Sequence, residues 1–377
     1  MDFWVEQAAQ QKAEINTEGL IGTTNIKVIG IGGAGNNMVG WLYKKGVKGA
    51  EVYACNTDKQ HLGVIEADKK FLIGSSVTRG LGCGGFPERG VEAAKESLQE
   101  IKTTLKGSDM VFVCAGLGGG TGTGAAPVIA QVAKDTGAIV IGSVTMPFKI
   151  ERARIDKAEF ALKQLGSICD TVIVIDNNRL VKIAGNLPIA QAFAVANELL
   201  ATMLKGIVET ISIPSLVNLD FADLKAIMQR GGVAAIGVGT SDTTNRVEEA
   251  VHGALSHPLI EVNYEGATGA LIQVIGGEDM TLDDINKAGE LVTQSLDENA
   301  NVIWGARVDP ALKGRITVMT IITGVKSPWI AGKTRYVPSA IVMPVDELVE
   351  SAVPRKAVQP ASQPVQIDDE LGIEIVS

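Results

Sequence analysis

The amino-acid sequence predicts a mixed α/β fold: a parallel-sheet domain joined by a long central helix to a smaller α+β domain, with a flexible C-terminal tail. Three observations carry that prediction. Through the first half, apolar runs with little alternation are separated by helical patterns, as in a parallel sheet covered on both faces. Between one such run, Asp109 to Ala115, and a helical pattern from Ala125 to Lys134 lies a nine-residue stretch, Gly116 to Gly124, of which six are glycine. From Ile189 to Glu209, Phe193, Ala196, Leu199, Leu200, Met203 and Leu204 recur at helical spacing, enough for a spine between two domains.

Residues 1–24 form an N-terminal extension in which Phe3, Trp4, Val5 and Ala8 suggest a short amphipathic helix that packs on its own domain, packs on a neighbouring subunit or stays loose. The first domain spans 25–188. Its expected strands are Ile26 to Gly30, Glu51 to Cys55, Lys70 to Ile73, Asp109 to Ala115, Ala138 to Val144 and Thr171 to Ile175, with helices from about Asn36, from Val91 to Leu105 and from Ala125. The central helix occupies 189–210. The second domain, 211–336, alternates helices Leu224 to Arg230, Arg246 to Ser256 and Leu282 to Leu296 with strands Ala234 to Gly239, Ala270 to Ile275, Asn301 to Val308 and Arg315 to Thr323. Residues 337–366, with Pro354, Pro360 and Pro364, cannot build a core and read as a linker. Residues 367–377 place Leu371, Ile373, Ile375 and Val376 after an acidic start, either a docking peptide on a tether or a frayed terminus.

Composition narrows the class. The chain has 377 residues, 46% hydrophobic and 20% charged, with a formal net charge of -9, which argues against a nucleic-acid binder that must neutralise many phosphates. Any phosphate recognition is local and backbone-driven. The cysteines Cys55, Cys83, Cys114 and Cys169 form no CxxC pair and read as reduced, mostly buried thiols. His61, His252 and His257 have no metal-ligand spacing, so neither a zinc site nor a nucleophile triad is expected. No run approaches the ~20 apolar residues of a membrane span, and a cytoplasmic protein is expected.

The Gly116 to Gly124 stretch suits phosphate. Glycines let backbone N–H groups turn onto a polyanion without a Cβ in the way, and the helix behind adds its positive N-terminal end. The alternative is an ordinary glycine-rich turn, for which so many glycines are entropically wasteful. Thr121 and Thr123 add hydroxyl donors. A first loop, Gly30-Ile-Gly-Gly-Ala-Gly-Asn36, matches GxGxxG after a strand, and Asp58 can pass for a ribose-binding acid, which together read as a dinucleotide-binding oxidoreductase. That enzyme class has no need of the second, richer loop. Two cradles on neighbouring strands better fit a mononucleotide with two or three phosphates. A third glycine-dense turn, Thr78 to Glu88, contains Gly84 and Gly85 and is placed to sense a γ-phosphate; GxxxxGK[ST] is absent.

Gly118-Gly-Gly-Thr-Gly-Thr-Gly124, Ala54-Cys-Asn-Thr-Asp58, Pro147-Phe148 and Asn218-Leu-Asp-Phe-Ala-Asp223 occur in the order found in the tubulin/FtsZ superfamily, and the chain resembles FtsZ from about Ile26 to Val325. Gly33 to Asn37 and the Leu-Gly-Ile-Glu-Ile ending resemble archaeal members. The resemblance implies a GTP-binding and GDP-releasing domain whose polymerisation completes the active site. By position, Gly32, Gly33, Asn36, Gly116, Gly118, Gly119, Gly120, Thr121 and Gly122 would hold phosphates. Asn56, Asp58, Gly84, Gly85 and Pro147 would line the same site, and Glu151 and Arg154 would contact ribose or phosphate. Asn177 and Asn197 would meet sugar and base, and Phe193 would stack on guanine; without the resemblance Phe193 reads as a core aromatic. Members often carry glycine after the glutamate and arginine four positions beyond it, where this chain has Arg152 and Ile155; Arg154 is the nearest substitute.

Asp220 and Asp223 flank the start of a predicted helix, where carboxylates favour capping. Yet in-line attack on a γ-phosphate needs an oriented water, and the glycine loops supply no base. The resemblance implies that Asn218, Asp220 and Asp223 face the nucleotide of the next subunit in a head-to-tail filament, with Mg²⁺ bridging the phosphates. It further implies a mid-cell division ring on the inner membrane face, held by a SepF-like or FtsA-like adaptor that grips Leu371, Ile373 and Ile375. A regulatory nucleotide-binding protein without a polymer is the remaining alternative.

Overall fold

The computed structural model describes residues 24–329, apart from Pro214, Asn218, Asp220, Arg230, Gly231, His257, Pro258, Glu261 and Ser295. The N-terminal extension, the linker and the terminal peptide with Leu371, Ile373 and Ile375 lie outside the described residues. In chain order the elements are β1 (Ile26–Ile31), α1 (Gly32–Lys44), β2 (Ala50–Asn56), α2 (Lys59–Val64), β3 (Lys69–Leu72), α3 (Ser75–Thr78), α4 (Pro87–Glu96), α5 (Leu98–Leu105), β4 (Met110–Gly116), α6 (Thr121–Asp135) and β5 (Ile139–Met146). There follow α7 (Ala153–Ile168), β6 (Thr171–Asp176), α8 (Asn177–Ala184), α9 (Ile189–Ser212), α10 (Phe221–Met228), β7 (Gly232–Ser241), α11 (Arg246–Leu255), β8 (Gly269–Gly276), α12 (Leu282–Thr293), β9 (Asn301–Val308) and β10 (Ile316–Thr323).

The strands form one ten-stranded sheet in the order β3-β2-β1-β4-β5-β6-β7-β10-β8-β9. From β3 to β7 every neighbour is parallel. β10 runs antiparallel to both β7 and β8, and β8 is parallel to β9. The β6–β7 joint is short, with Thr171 to Ile173 opposite Gly232 to Ala234. All of β1 and all of β5 are buried, the signature of strands sandwiched between helices and the reason their sequences do not alternate. Four buried free thiols sit among these elements, and burial pushes Cys55, Cys114 and Cys169 up to about 12.

Several predicted elements change extent. The helix expected from Val91 to Leu105 is two, α4 and α5, separated at Ser97. α6 starts at Thr121 rather than Ala125, so the last four residues of the glycine stretch are helical. Glycine and threonine are poor helix formers, but tertiary packing overrides the preference: a Cβ on Gly124 would strike the Pro87 carbonyl, and one on Gly122 would lie 2.5 Å from the Gly116 carbonyl oxygen. α7 and α8 were not expected at all.

The 24-residue helix α9 would span about 36 Å. At its start Phe193 meets Phe148, just beyond the carboxyl end of β5; at its end Ser212 Oγ donates to the Gly49 carbonyl, just before β2 begins, at 3.4 Å. α9 therefore runs from the carboxyl edge of the parallel strands to their amino edge. The segment that follows returns to the same amino edge, because Thr171 Oγ1, on the first residue of β6, donates to Met228 O at the end of α10 at 2.8 Å. No single helix among the described residues is long and apolar enough to cross a membrane.

Candidate nucleotide site

Two helix N-termini converge at the carboxyl edge. α1 and α6 both begin without a side-chain cap and without an acidic residue in the first turn, so the N–H groups of both starts are left for another acceptor. They touch: a Cβ on Gly32 would lie 2.9 Å from the Gly122 nitrogen. Parallel strands β1 and β4, adjacent in the sheet, bring them together. Such paired helix starts form an anion site.

The glycines divide into two kinds. A Cβ on Gly116 would press on Ala34 Cβ at 2.5 Å, one on Gly118 would meet the Arg154 carbonyl oxygen at 2.9 Å, and one on Gly120 would meet Cys83 Cβ at 2.5 Å. These positions, with Gly32 and Gly122, are glycine because loop packs against loop. Gly33, Gly119 and Gly85 instead open into space with nothing within 4 Å, and Gly84 has only the Phe86 ring nearby. Backbone left uncovered at these positions is open to close approach by a polyphosphate.

Polar side chains brace this cradle. Asn36 is buried, its Oδ1 accepting from the Cys55 backbone N–H at 3.2 Å, while its Nδ2 has no partner among the described residues, a leftover donor under the loops. Thr57 Oγ1 and Thr121 Oγ1 share a hydrogen bond of 2.7 Å, and Cys83 Sγ lies against both hydroxyls. Thr123 Oγ1 accepts from the Gly118 N–H at 2.9 Å. Both threonine hydroxyls thus tie loops together, and what they offer at the helix start is backbone N–H. Asn56 Oδ1 accepts from the Thr57 N–H, and Asp58 caps α2 by accepting from the His61 N–H at 3.0 Å.

Beyond the phosphate end, Pro147 is buried, and its Cγ lies 3.3 Å from the Cβ position of Gly118. Phe148 continues to Phe193, the rings meeting edge to face with centroids 6.2 Å apart. Phe193 is 42% exposed, so it is no core aromatic, and half-buried Asn197 follows one turn later on α9. Asn177 begins α8 at the carboxyl end of β6. Glu151 turns inward: Oε1 accepts from the Phe148 N–H at 2.9 Å and Oε2 pairs with Arg154 at 2.6 Å. With Arg154 mostly exposed, that pair contributes at most about 1 kcal/mol.

Three features were not foreseen. Arg152 takes φ +40°, the left-handed region that favours glycine, so the turn holds an arginine in a conformation that glycine adopts more readily. Lys157 Nζ donates to the Gly85 carbonyl at 2.8 Å and stands over the Phe86 ring, putting a cation on the third glycine turn. Asn178 accepts from the Lys149 N–H and donates to Asp176, fixing the turn after β5 to the end of β6. None has a sequence signal beyond residue type; each depends on loops distant in the chain.

Of the predicted acidic group, the structure places Asp223 alone, away from the glycine loops. Asp223 is the third residue of α10, as a helix-start carboxylate should be. Asn218 and Asp220 lie outside the described residues. Since both ends of the segment between α9 and β7 are tied to the amino edge, Asp223 stands about 8 Å along the helix from Met228, whereas the strands between the edges span about 20–26 Å. One subunit does not bring Asp223 to its own glycine loops.

Residues 25–185 match the GTPase domain of the tubulin/FtsZ family, and residues 232–326 match the C-terminal domain of the FtsZ family. The chain belongs to the tubulin/FtsZ family. It is 58% identical over 315 residues to cell division protein FtsZ 2 of Methanocaldococcus jannaschii, covering 83% of each chain, and 49% identical over 314 residues to cell division protein FtsZ 1 of Archaeoglobus fulgidus, covering 83% and 85%. Its fold superposes on a solved empty FtsZ dimer from M. jannaschii with a TM-score of 0.75 at 43% identity, covering 91% of this chain and 98% of that one. Family membership and the paired phosphate cradles set aside the oxidoreductase reading built on Gly30 to Gly35 and Asp58.

Proposed function

We propose that this GTPase acts in cell division as a head-to-tail polymer, holding GTP at the carboxyl edge of one subunit and hydrolysing it with the acidic loop of the next. The observation that carries the reading is the separation of Asp223 from the glycine loops within one subunit. A water in line with the γ-phosphate needs an orienting acceptor, and a positioned carboxylate supplies about 10²–10⁴ in rate. Because the two halves lie on opposite edges, their association is heterologous and extends into a filament rather than closing. Both edges expose large apolar side chains, Leu81, Phe86 and Ile150 beside the cradle and Leu216 on the acidic segment, as surfaces covered on assembly do.

In this mechanism the starts of α1 and α6 bind the phosphates, with Gly33, Gly119, Gly84 and Gly85 leaving room for them and Asn36 Nδ2 adding a donor. Phe193 stacks on the base, Asn197 and Asn177 meet base and sugar, and Arg154 and Glu151 exchange their mutual pair for ribose or phosphate contacts. Among the described residues no group of three His, Cys, Asp or Glu side chains can hold a metal alone. Mg²⁺, if it accompanies the nucleotide, would supply neutralisation of the phosphate charge in the cradle formed by the starts of α1 and α6. Asp220 and Asp223 of the next subunit orient the attacking water, and loss of the γ-phosphate weakens the interface.

We assign 25–188 to the GTP-binding domain, 189–210 to the central helix and 211–336 to the second domain, with 337–366 a tether. The terminal peptide docks on a membrane adaptor through Leu371, Ile373 and Ile375, placing the filament in a mid-cell ring on the inner membrane face. Phosphate release measured against protein concentration, with light scattering in parallel, tests the core of the proposal: turnover per subunit should rise steeply above a threshold where scattering begins. Turnover that stays flat across that threshold rejects it.

A further inference from the structure

The third glycine turn is tied down by a cation from a distant helix. Gly80, Gly82, Gly84 and Gly85 all take positive φ, between +61° and +81°, and a turn of such residues loses much backbone freedom on ordering. Among the described residues, the one hydrogen bond that reaches Gly84 or Gly85 comes from the Lys157 ammonium, 2.8 Å from the Gly85 carbonyl oxygen. Its Nζ also stands 5.7 Å from the centroid of the Phe86 ring, which is 58% exposed. Lys157 lies on α7 one turn beyond Arg154, so its side chain crosses from that helix to the turn.

Contacts along the second glycine loop give the order of groups around it. A Cβ on Gly118 would lie 2.9 Å from the Arg154 carbonyl oxygen and 3.3 Å from Pro147 Cγ, so this end faces the Phe148 and Phe193 pair. A Cβ on Gly120 would instead lie 2.5 Å from Cys83 Cβ and 3.1 Å from the Phe86 nitrogen, so the other end is seated against the third turn. Gly119 between them opens into space, as does Gly85. A nucleotide with its base on Phe193 would run its phosphates from Gly118 towards Gly120, and the last of them would come up to Gly85 and Lys157. An ammonium carries three N–H donors, of which the Gly85 carbonyl takes one without neutralising the charge.

We propose that Lys157 is a specificity-determining residue: it keeps its bond to Gly85 and donates a second N–H to the γ-phosphate, so GTP draws the third turn against the cradle. GDP, one phosphate shorter, leaves that donor unused. This rests on the nucleotide reading of the cradle and adds to it the side chain that tells the two nucleotides apart.

The test uses the full chain below its assembly threshold, titrated with GDP and with a GTP analogue whose β–γ bridge resists hydrolysis. Lys157→Met keeps the length of the side chain and removes its charge and donors, Lys157→Arg keeps the charge, and Gly119→Ala is the control for the cradle. For Lys157→Met we expect analogue affinity at least about tenfold lower, GDP affinity within about twofold of wild type and an unchanged melting temperature without nucleotide. Lys157→Arg should keep most of the preference for the analogue, and added salt should weaken that preference more in wild type than in Lys157→Met. Analogue affinity within about twofold of wild type in Lys157→Met overturns the inference. So do equal losses for both nucleotides, or a loss that tracks a fall in melting temperature, either of which would make Lys157 a brace of the fold. If Gly119→Ala leaves both affinities unchanged, the cradle reading itself fails; if it lowers them while Lys157→Met lowers neither, only the inference about Lys157 falls.

Discussion

At the carboxyl edge of the sheet, two uncapped helix starts lie backbone against backbone, and the threonine hydroxyls that brace them are satisfied within the subunit. Elsewhere, α10 carries Asp223 near its start, and β8 and β9 hold a buried amide and a guanidinium nitrogen that lack partners among the described residues. The first region is preorganised, its unmet donors being Asn36 Nδ2 and the N–H groups of the two helix starts; the second leaves the Gln273 amide and Arg307 Nε unmet. Under the proposed mechanism the subunit would bind GTP alone and react only in a polymer, one half of the site being withheld until assembly.

The largest effect should come from filling the preorganised edge. Gly122→Ala places a methyl against the Gly116 carbonyl, so calorimetry should show a loss of about 1–3 kcal/mol and nucleotide titration a loss of binding. Gly119→Ala, facing open space, should leave the melting temperature unchanged while lowering GTP affinity tenfold or more; the reverse pattern would mean that the space at Gly119 is not for phosphate. Next, Asp223→Ala should keep GTP affinity and lower turnover at least about a hundredfold, leaving longer-lived filaments. Phe193→Ala removes a stacking surface worth about 1–3 kcal/mol, so GTP affinity should drop roughly tenfold with little change in turnover at saturating GTP.

The smallest effect concerns Asp279, between β8 and α12. The Gly314 backbone N–H, followed by the Arg246 guanidinium, holds Asp279 at about 2 against an ordinary 3.8. A lowered carboxyl stabilises the fold above its unfolded value and loses that contribution as pH falls through the folded one. Asp279→Asn should therefore melt slightly below the wild type at pH 6, and the difference should close between about pH 4 and pH 2.

Sequence reasoning read the carboxyl edge well because its chemistry is local: glycine loops follow apolar runs and precede helices, and strands buried on both faces announce themselves as unbroken Val and Ile. It failed where tertiary contact decides. α7 carries its buried stripe, Ala158, Ala161, Leu162, Leu165 and Ile168, behind a first turn rich in charged residues, and α8 is only eight residues long, so both stripes went unread. The helical start at Thr121 contradicts local propensity because facing carbonyls leave room only for glycine. Lys157 meets the third glycine turn across 72 residues of chain, and Gln273 on β8 faces Leu219 from 54 positions away, separations that no periodicity encodes. The turn at Arg152 shows the converse, a left-handed backbone conformation held by a residue other than the glycine best suited to it.

The central claim, that one active site is divided between two subunits, is tested most directly by mixing. One variant, Gly119→Val, lacks GTP binding but keeps its acidic loop; the other, Asp223→Ala, binds GTP but lacks the carboxylate. Each alone should release phosphate at a few per cent or less of the wild-type rate, roughly the residue left when a positioned group is lost. In an equimolar copolymer, roughly a quarter of interfaces join two intact halves, so turnover should recover to about that fraction. If the copolymer sediments like wild type and yet the mixture releases no more phosphate than the two variants measured apart, the site is not shared.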